Sequence, residues 1–326
     1  MRISSGIFAA ALIAAIAGAA FAHQPEPNPS AQAAFEEGLG AYRSGRLEIA
    51  IPALTEAATK GADSAKFYAE FYLARIYSEG VGAIANHAKA YVLFRKLADE
   101  NAEVDPVDSQ RAPFVAKALI ALAGYTRAGL AEIDLPPNAR RATDYLYHAA
   151  TFFGDKEAQF ELAKVYVSGE GSKDDVRRGM HYLATLSEES NPAAQALLAE
   201  LLWRGRHVKR DEQRALALAT MAVENAPAHE RMWIEDSYHS IFCATNQSTR
   251  KLAEGFVARW RSLFARPASH PPDRAGLAAR DLMPERRCAN GESVAVPRDA
   301  GGGAVAAAPP GDAVQGSSAT FGFRPK

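Results

Sequence analysis

Little in these 326 residues is equipped for covalent chemistry. Only two cysteines occur, Cys243 and Cys288, and they stand too far apart in sequence to form a C-x-x-C metal or redox pair. The chain has no phosphate-cradling G-x-x-x-x-G-K-[ST] loop, no H-E-x-x-H zinc helix and no G-x-S-x-G nucleophile turn. Its eight histidines are scattered, and His148 and His181 fall where a surface or half-buried ring is the plain reading. No cofactor or metal is therefore expected. An excess of either charge is missing too. There are 37 Lys and Arg against 38 Asp and Glu, a formal charge of −1, which leaves no basic footprint for nucleic acid. Beyond the first two dozen residues no apolar run is long enough to span a bilayer.

That first stretch reads as an export signal. Met1–Ala22 has Arg2, an apolar run from Ile7 to Ala20, and Ala20-Phe21-Ala22 as an A-x-A site, so cleavage is expected between Ala22 and His23. The run is short for a spanning helix and lacks a basic flank on its C-terminal side. The expectation is a periplasmic protein with no membrane span after cleavage. In an oxidising compartment Cys243 and Cys288 can pair as a disulfide or remain two thiols, since spacing alone does not fix their geometry.

The chain's main content is a repeat. In Ala158–Gly171, Ala158, Leu162, Ala163 and Tyr166 share one helical face, and Gly169 follows as a stop. A second amphipathic stretch, Val176–Ser187, puts Gly179, Leu183 and Leu186 inward. Such a hairpin has two apolar stripes and cannot bury both alone, so copies must stack. The anchors Tyr42, Tyr77, Tyr125, Tyr166 and Leu202 mark five copies, 35, 48, 41 and 36 residues apart. Three residues after them stand Gly45, Gly80, Ala128, Gly169 and Gly205. The second helices align as well. Ala50, Ala90, Ala142, Gly179 and Ala215 open five stripes. Leu54, Phe94, Leu146, Leu183 and Ala219 follow four residues on, and Ala57, Leu97, Ala149, Leu186 and Ala222 seven on. Small residues at the stripe openings admit close backbone approach, and larger ones fill the gap.

These signals predict an all-α, right-handed α-solenoid of five hairpins and about ten repeat helices over residues 33–226. Residues 23–32 are Pro-rich and read as a flexible arm. The acidic, Pro-interrupted stretch Glu100–Pro113 reads as a projecting loop and a site for proteolytic nicking. Asn138 is expected to cap one helix, and Asn191-Pro192 to open another. Two cap helices are expected over 227–265. The first carries Ile234, Tyr238, Ile241 and Phe242, the second Leu252, Phe256, Trp260 and Leu263. Residues 266–326 are rich in Pro, Gly and Ala and read as mostly disordered, with order near Cys288 if the disulfide forms.

Three features remain as functional candidates. Ser248 and Lys251 match S-x-x-K, a two-residue serine–lysine pattern, but no S-D-N or K-T-G partner accompanies it, and Ser248 as a helix N-cap explains it without catalysis. From Arg250 to Arg287 there are nine Lys and Arg against four Asp and Glu, a local basic excess that reads as a solvated face before it reads as a lipid or partner site. Aromatics are the better lead, because aromatic residues and Arg anchor protein interfaces. Trp203 and Arg204 beside the fifth anchor are the candidate partner contacts, and Phe152-Phe153 closes a second helix, where packing between repeats also accounts for it.

The pattern L-A-x-x-Y-x-x-G-x-G occurs twice, as Leu73-Ala74, Tyr77, Gly80, Gly82 and as Leu162-Ala163, Tyr166, Gly169, Gly171. It resembles Sel1-like repeats, relatives of the tetratricopeptide repeat. Lys117–Gly129 and Ala149–Gly171 further resemble the rhizobial exopolysaccharide-production negative regulators of the ExoR family, with a likeness running from about Ala34 to Ala253. That resemblance implies a periplasmic protein that restrains a membrane sensor histidine kinase and is itself controlled by a periplasmic protease. It designates no catalytic residue. The tail beyond Arg266 has no counterpart in the family pattern. The competing reading on the same fold is a generic envelope scaffold, and the more distant one an envelope enzyme using Ser248 and Lys251.

Overall fold

The computed structural model describes residues 29–80, 84–169, 171–264 and 286–294. The expected signal peptide with its Ala22–His23 cleavage site, and most of the tail, lie outside the described residues. Among the described residues the regular structure is helical, with two isolated β-bridges and no strand. Met1–Tyr72 and Leu73–Lys326 form two units.

In the first unit, α1 (Pro29–Arg43) pairs with α2 (Leu47–Lys60). Pro29 already opens a helix, so residues 29–32 are helical where a flexible arm was expected, and residues 23–28 lie outside the described residues. Ala31, Ala34, Gly38 and Ala41 face inward from α1, and Ala50, Leu54 and Ala57 from α2. Gly38 is where the two helices touch. A Cβ there would lie 2.7 Å from Leu54 Cγ. The turn closes at Gly45, whose φ of +73° a side chain disfavours, with the Gly45 N–H donating to the Tyr42 carbonyl at 3.0 Å. Helix α3 (Asp63–Glu79) begins here, and its Tyr72 ring meets Tyr42 at 5.2 Å.

The second unit continues with α4 (His87–Glu100), α5 (Ala112–Ala128), α6 (Ala139–Thr151), α7 (Lys156–Val167), α8 (Lys173–Glu188), α9 (Pro192–Arg204) and α10 (Glu212–Glu224). Hairpin partners α5–α6, α7–α8 and α9–α10 pack together, and each hairpin packs on the next through α4–α5, α6–α7 and α8–α9. The stripe positions in both units are buried as the repeat requires: Ala90, Ala142 and Ala215 are fully enclosed, as are Leu183 and Ala222. Four of the five second helices start alike. Asn86, Asn138, Ser172 and Asp211 each accept a backbone N–H three residues on. Helix α2 has no side-chain cap. Asn86, Asn138 and Asp211 also donate their own N–H to the carbonyls of Tyr77, Thr126 and Leu202 in the preceding helix, at 2.7–3.1 Å. Asn191 caps α9, with Pro192 in its first turn.

The glycines after the anchors play two distinct roles. Gly169 and Gly205 take positive φ, +108° and +65°. Gly80 does not, so no left-handed stop forms there. A Cβ at Gly80 would lie 2.7 Å from the Ile76 carbonyl oxygen, which makes close approach the reason for glycine. In the third copy α5 runs through Ala128, and Gly129 ends it at φ +76°.

Helices α11 (Arg231–Ala244) and α12 (Gln247–Phe264) do more than cap. Helix α11 packs on α10 and α9, as the first helix of a further hairpin would, whereas α12 packs on α10. Ile234, Tyr238 and Ile241 are buried from α11. On α12 the inward stripe is Ala253 and Val257, backed by partly buried Phe256 and Trp260. Leu252 and Leu263 point to solvent, which corrects the stripe expected from sequence. The inward face is turned toward Thr249, Ala253 and Val257 because the small Ala253 lets α12 approach α10.

The stretch 286–294 is part of this end of the fold. Cys243 and Cys288 are joined by a disulfide with a Cα–Cα distance of 5.4 Å. An antiparallel bridge pairs Arg287 with Ser293, and Cys288 and Val294 enter the same core cluster as Ile234 and Val257.

Candidate protein-binding surface

The first helices of successive hairpins touch one another, α5 against α7 and α9 against α11. Their inner positions are taken by core residues, so what they show to solvent is a narrow row. On α7 that row is Glu157, Glu161 and Lys164, spaced four and three apart on one face. It sits beside Phe160, over which Lys164 Nζ lies at 5.2 Å, while Lys164 also pairs with Glu161 at 2.6 Å. Lys117 of α5 reaches across to Glu157 at 2.6 Å and Asp155 at 3.3 Å, linking two hairpins. Burial works against the Lys117 charge, but Glu157 and Asp155 outweigh it and hold its ammonium above the ordinary range. Glu230, at the start of α11, completes the row. Burial pushes its carboxyl above the usual carboxylate range; His229 and Lys164 pull it back, and Glu157 and Glu161 push it further up. Asp155, Glu157, Glu161 and Glu230 thus share one field with Lys117 and Lys164. This arrangement can hold cationic or hydrogen-bonding groups of a partner along the first-helix face. The sequence reading missed it, although Glu157, Glu161 and Lys164 were legible as a polar row at helical spacing.

The expected contacts fare differently. Trp203 is half-buried on the last turn of α9, packed against the core cluster, with the Arg210 guanidinium 4.7 Å over its ring. It is therefore not the open anchor expected from its position. Arg204 is exposed and pairs with Glu200 at 2.7 Å. Phe152 is the exposed aromatic, stacked on His148 at 5.0 Å, while Phe153 is half-buried and meets Phe152 edge-on at 4.9 Å. Of the repeat anchors, Tyr125, Tyr166 and Leu202 are buried, and Tyr42 and Tyr77 half-buried. They hold the fold and do not line a site. Tyr125 reaches His87 Nδ1 at 3.1 Å, and burial raises its phenol far above the ordinary value.

Ser248 is not the N-cap of α12. Asn246 holds that place, accepting the Thr249 N–H at 2.9 Å, and Ser248 Oγ donates to Asn246 Oδ1 at 2.6 Å. Both Ser248 and Lys251 are exposed, and the serine hydroxyl is committed to the cap. Much of the basic excess is spent within the protein: Arg250 pairs with Glu292, Arg261 with Glu224 and Arg286 with Asp236. No described helix is long and apolar enough to cross a membrane.

Over residues 67–101, 156–191 and 192–226 the chain matches the family model described as Sel1 repeat. Those are the second, fourth and fifth hairpins; the third has its stop moved to Gly129 and a long Pro136-Pro137 connection, and the first has a three-residue turn. The chain is 28% identical over 221 residues, 68% of its own length and 78% of the relative's, to the exopolysaccharide production negative regulator of Rhizobium meliloti (strain 1021). It is 27% identical over 219 residues, 67% and 78% of the two lengths, to the protein of the same description from Rhizobium leguminosarum bv. viciae. Among solved structures it is similar in fold to a Sel1 repeat protein from Oxalobacter formigenes, with a TM-score of 0.52, 22% identity, and coverage of 74% of this chain and 87% of that one.

Proposed function

We propose that this protein is an exported negative regulator that binds the periplasmic domain of a sensor histidine kinase, favours its inactive state and thereby limits exopolysaccharide production. The observation that carries this reading is the likeness to two proteins described as negative regulators of exopolysaccharide production, over about two thirds of this chain. The Sel1 hairpins support it, since stacked helical pairs offer an extended surface for protein ligands. The first-helix row of Asp155, Glu157, Glu161, Lys164 and Glu230 is the docking strip in this reading, and exposed Arg204 on α9 is a second candidate contact.

Binding alone does not silence a kinase. The regulator has to bind the inactive form more tightly, by about 5.5 kcal/mol for a near-complete switch. Proteolytic removal of the regulator then releases the kinase. Deleting the gene raises response-regulator phosphorylation and polysaccharide output, and a charge reversal such as Glu161→Lys or Arg204→Glu does so partially while helicity is kept. Trp203→Ala is a poorer probe, because it also removes packing beneath Arg210. If deletion leaves phosphorylation unchanged, the regulatory reading falls and a generic envelope scaffold takes its place. Ser248→Ala leaves every phenotype intact; a loss of output with the fold preserved revives the enzyme reading. Sequencing of the exported protein starts at His23, and a retained Met1 overturns export by cleavage.

A further inference from the structure

His239 and Cys243 lie four residues apart on α11, one helical turn, so both leave the same face. The stretch 286–294 brings Cys288 to that face. One nitrogen of His239 and the two sulfurs all lie within 4.8 Å of one another. His239 Nε2 stands 3.6 Å from Cys243 Sγ and 3.2 Å from the Arg287 carbonyl oxygen, so the ring edge already points at the sulfurs. Cys243 also lines an open polar cleft of about 610 Å³ together with Asn246, Arg250, Lys251 and Asn290. A small reductant therefore reaches the disulfide from solvent, while Cys288 is buried against the core on the other side.

We propose that reduction of the Cys243–Cys288 disulfide converts this cluster into a binding site for a thiophilic divalent cation of the Zn²⁺ class. The two thiolates and the His239 imidazole are the protein ligands, and water from the cleft takes the fourth position. A dithiol supplies the two electrons. Its own S–H bonds give way to a disulfide, the Cys243–Cys288 bond breaks, and each sulfur leaves with a proton. Metal binding then expels both thiol protons and uses His239 in its neutral form. The geometry permits this exchange. Tetrahedral zinc with Zn–S bonds of about 2.3 Å separates two sulfurs by about 3.8 Å. The Cys243 and Cys288 Cα atoms stand 5.4 Å apart on two different segments, so rotation of the side chains opens that distance without moving α11. A helical His and Cys at this spacing form a bidentate edge, as histidine pairs four residues apart do in zinc helices. Thiolate and imidazole together select zinc over hard cations. The clasp that fastens 286–294 to α11 is then covalent when oxidised and metal-borne when reduced.

The test uses the full exported chain, reduced with a water-soluble phosphine, freed of reductant without oxygen and titrated with Co²⁺. The chain has only these two cysteines, so every thiolate signal originates here. The expected result is one bound equivalent with a thiolate-to-cobalt charge-transfer band and the intense d–d bands of tetrahedral coordination, displaced by Zn²⁺, and no such bands in the oxidised protein. Cys243→Ser and Cys288→Ser abolish stoichiometric binding. His239→Ala keeps both thiols and weakens binding by about tenfold or more, since even outer-shell changes are worth that much. Far-UV circular dichroism shows that each variant retains its helices. A reduced wild-type protein that shows no charge-transfer band overturns the proposal, and so does an affinity unchanged by His239→Ala.

Discussion

Gly179 opens the inward stripe of α8, the place where the other four copies carry alanine, and Gly179→Ala asks why. The intrinsic preference of a helix interior favours alanine over glycine by about 1 kcal/mol. Packing opposes it. A Cβ at position 179 would stand 2.9 Å from Tyr166 Cβ, 3.1 Å from Val167 Cγ1 and 3.2 Å from the Ala163 carbonyl oxygen. Tyr166 Cβ and the Ala163 carbonyl belong to or adjoin the α7 backbone, so relief needs the two helices to part and no single side-chain rotation supplies it. Overpacking of a close-packed interior typically costs about 1–3 kcal/mol, and the propensity gain offsets the lower part of that range. The net expectation is a loss of about 1 kcal/mol, which lowers Tm by roughly 2–4 °C for a domain of this size. Ala215→Gly in the next hairpin is the control, because Ala215 is fully buried with its Cβ accommodated. It loses the propensity term and leaves a small void, so it is destabilising as well. Thermal unfolding of both variants, followed by far-UV circular dichroism, gives the answer. If Gly179→Ala raises Tm, the α7–α8 approach does not require glycine and the argument from close contact is refuted.

Cys288→Ser opens a crosslink between residues 45 apart in sequence and removes about 4 kcal/mol in the chain-entropy estimate; comparison of wild type and variant by denaturant titration, both non-reduced, checks it. Glu230→Gln stabilises at neutral pH. Its folded carboxyl titrates above the unfolded value, so the wild-type penalty is absent below the unfolded pKa, grows as pH rises toward the folded pKa and is complete above it. Urea midpoints at pH 3.5 and pH 7 should therefore coincide for the two proteins at the lower pH and diverge at the higher; equal midpoints at both refute it. Limited digestion is expected to cut between α4 and α5, in the loop where Val107 is 84% exposed and Asp105 and Asp108 hold only short local turns. Mass spectrometry locates the cut, and cleavage confined to the region beyond Phe264 counts against this loop as a preferred site.

The repeat was legible because its signal is periodic and local. Three stripe positions recur in register five times, and a side chain that has to be buried in every copy announces itself by recurrence. The caps at Asn138 and Asn191 were legible for a similar reason, since a helix start depends on a few adjacent residues. Legibility failed wherever a residue's role depends on which neighbour it meets. Gly80 looks like Gly169 in sequence, yet one glycine avoids the Ile76 carbonyl and the other adopts positive φ. Leu252 and Ala253 are adjacent on α12, and only packing on α10 decides that the smaller one faces inward.

The charged row and the cysteine cluster show the same division at the candidate sites. Glu157, Glu161 and Lys164 stand on one helix and could be read as a row, but Lys117 and Glu230 join them from α5 and the start of α11, 40 residues before and 73 after Glu157. His239 and Cys243 stand four residues apart on one helix, a pair the sequence reading passed over, whereas Cys288 arrives through a stretch whose composition reads as disordered. The sequence by itself determined that this chain is a stack of helical hairpins with no catalytic motif, because hydrophobic period and turn chemistry act over a few residues. Tertiary structure alone decided which charges meet, which aromatic is covered and which sulfurs and imidazole converge. Those outcomes depend on contacts between segments far apart in the chain, which local propensity does not encode.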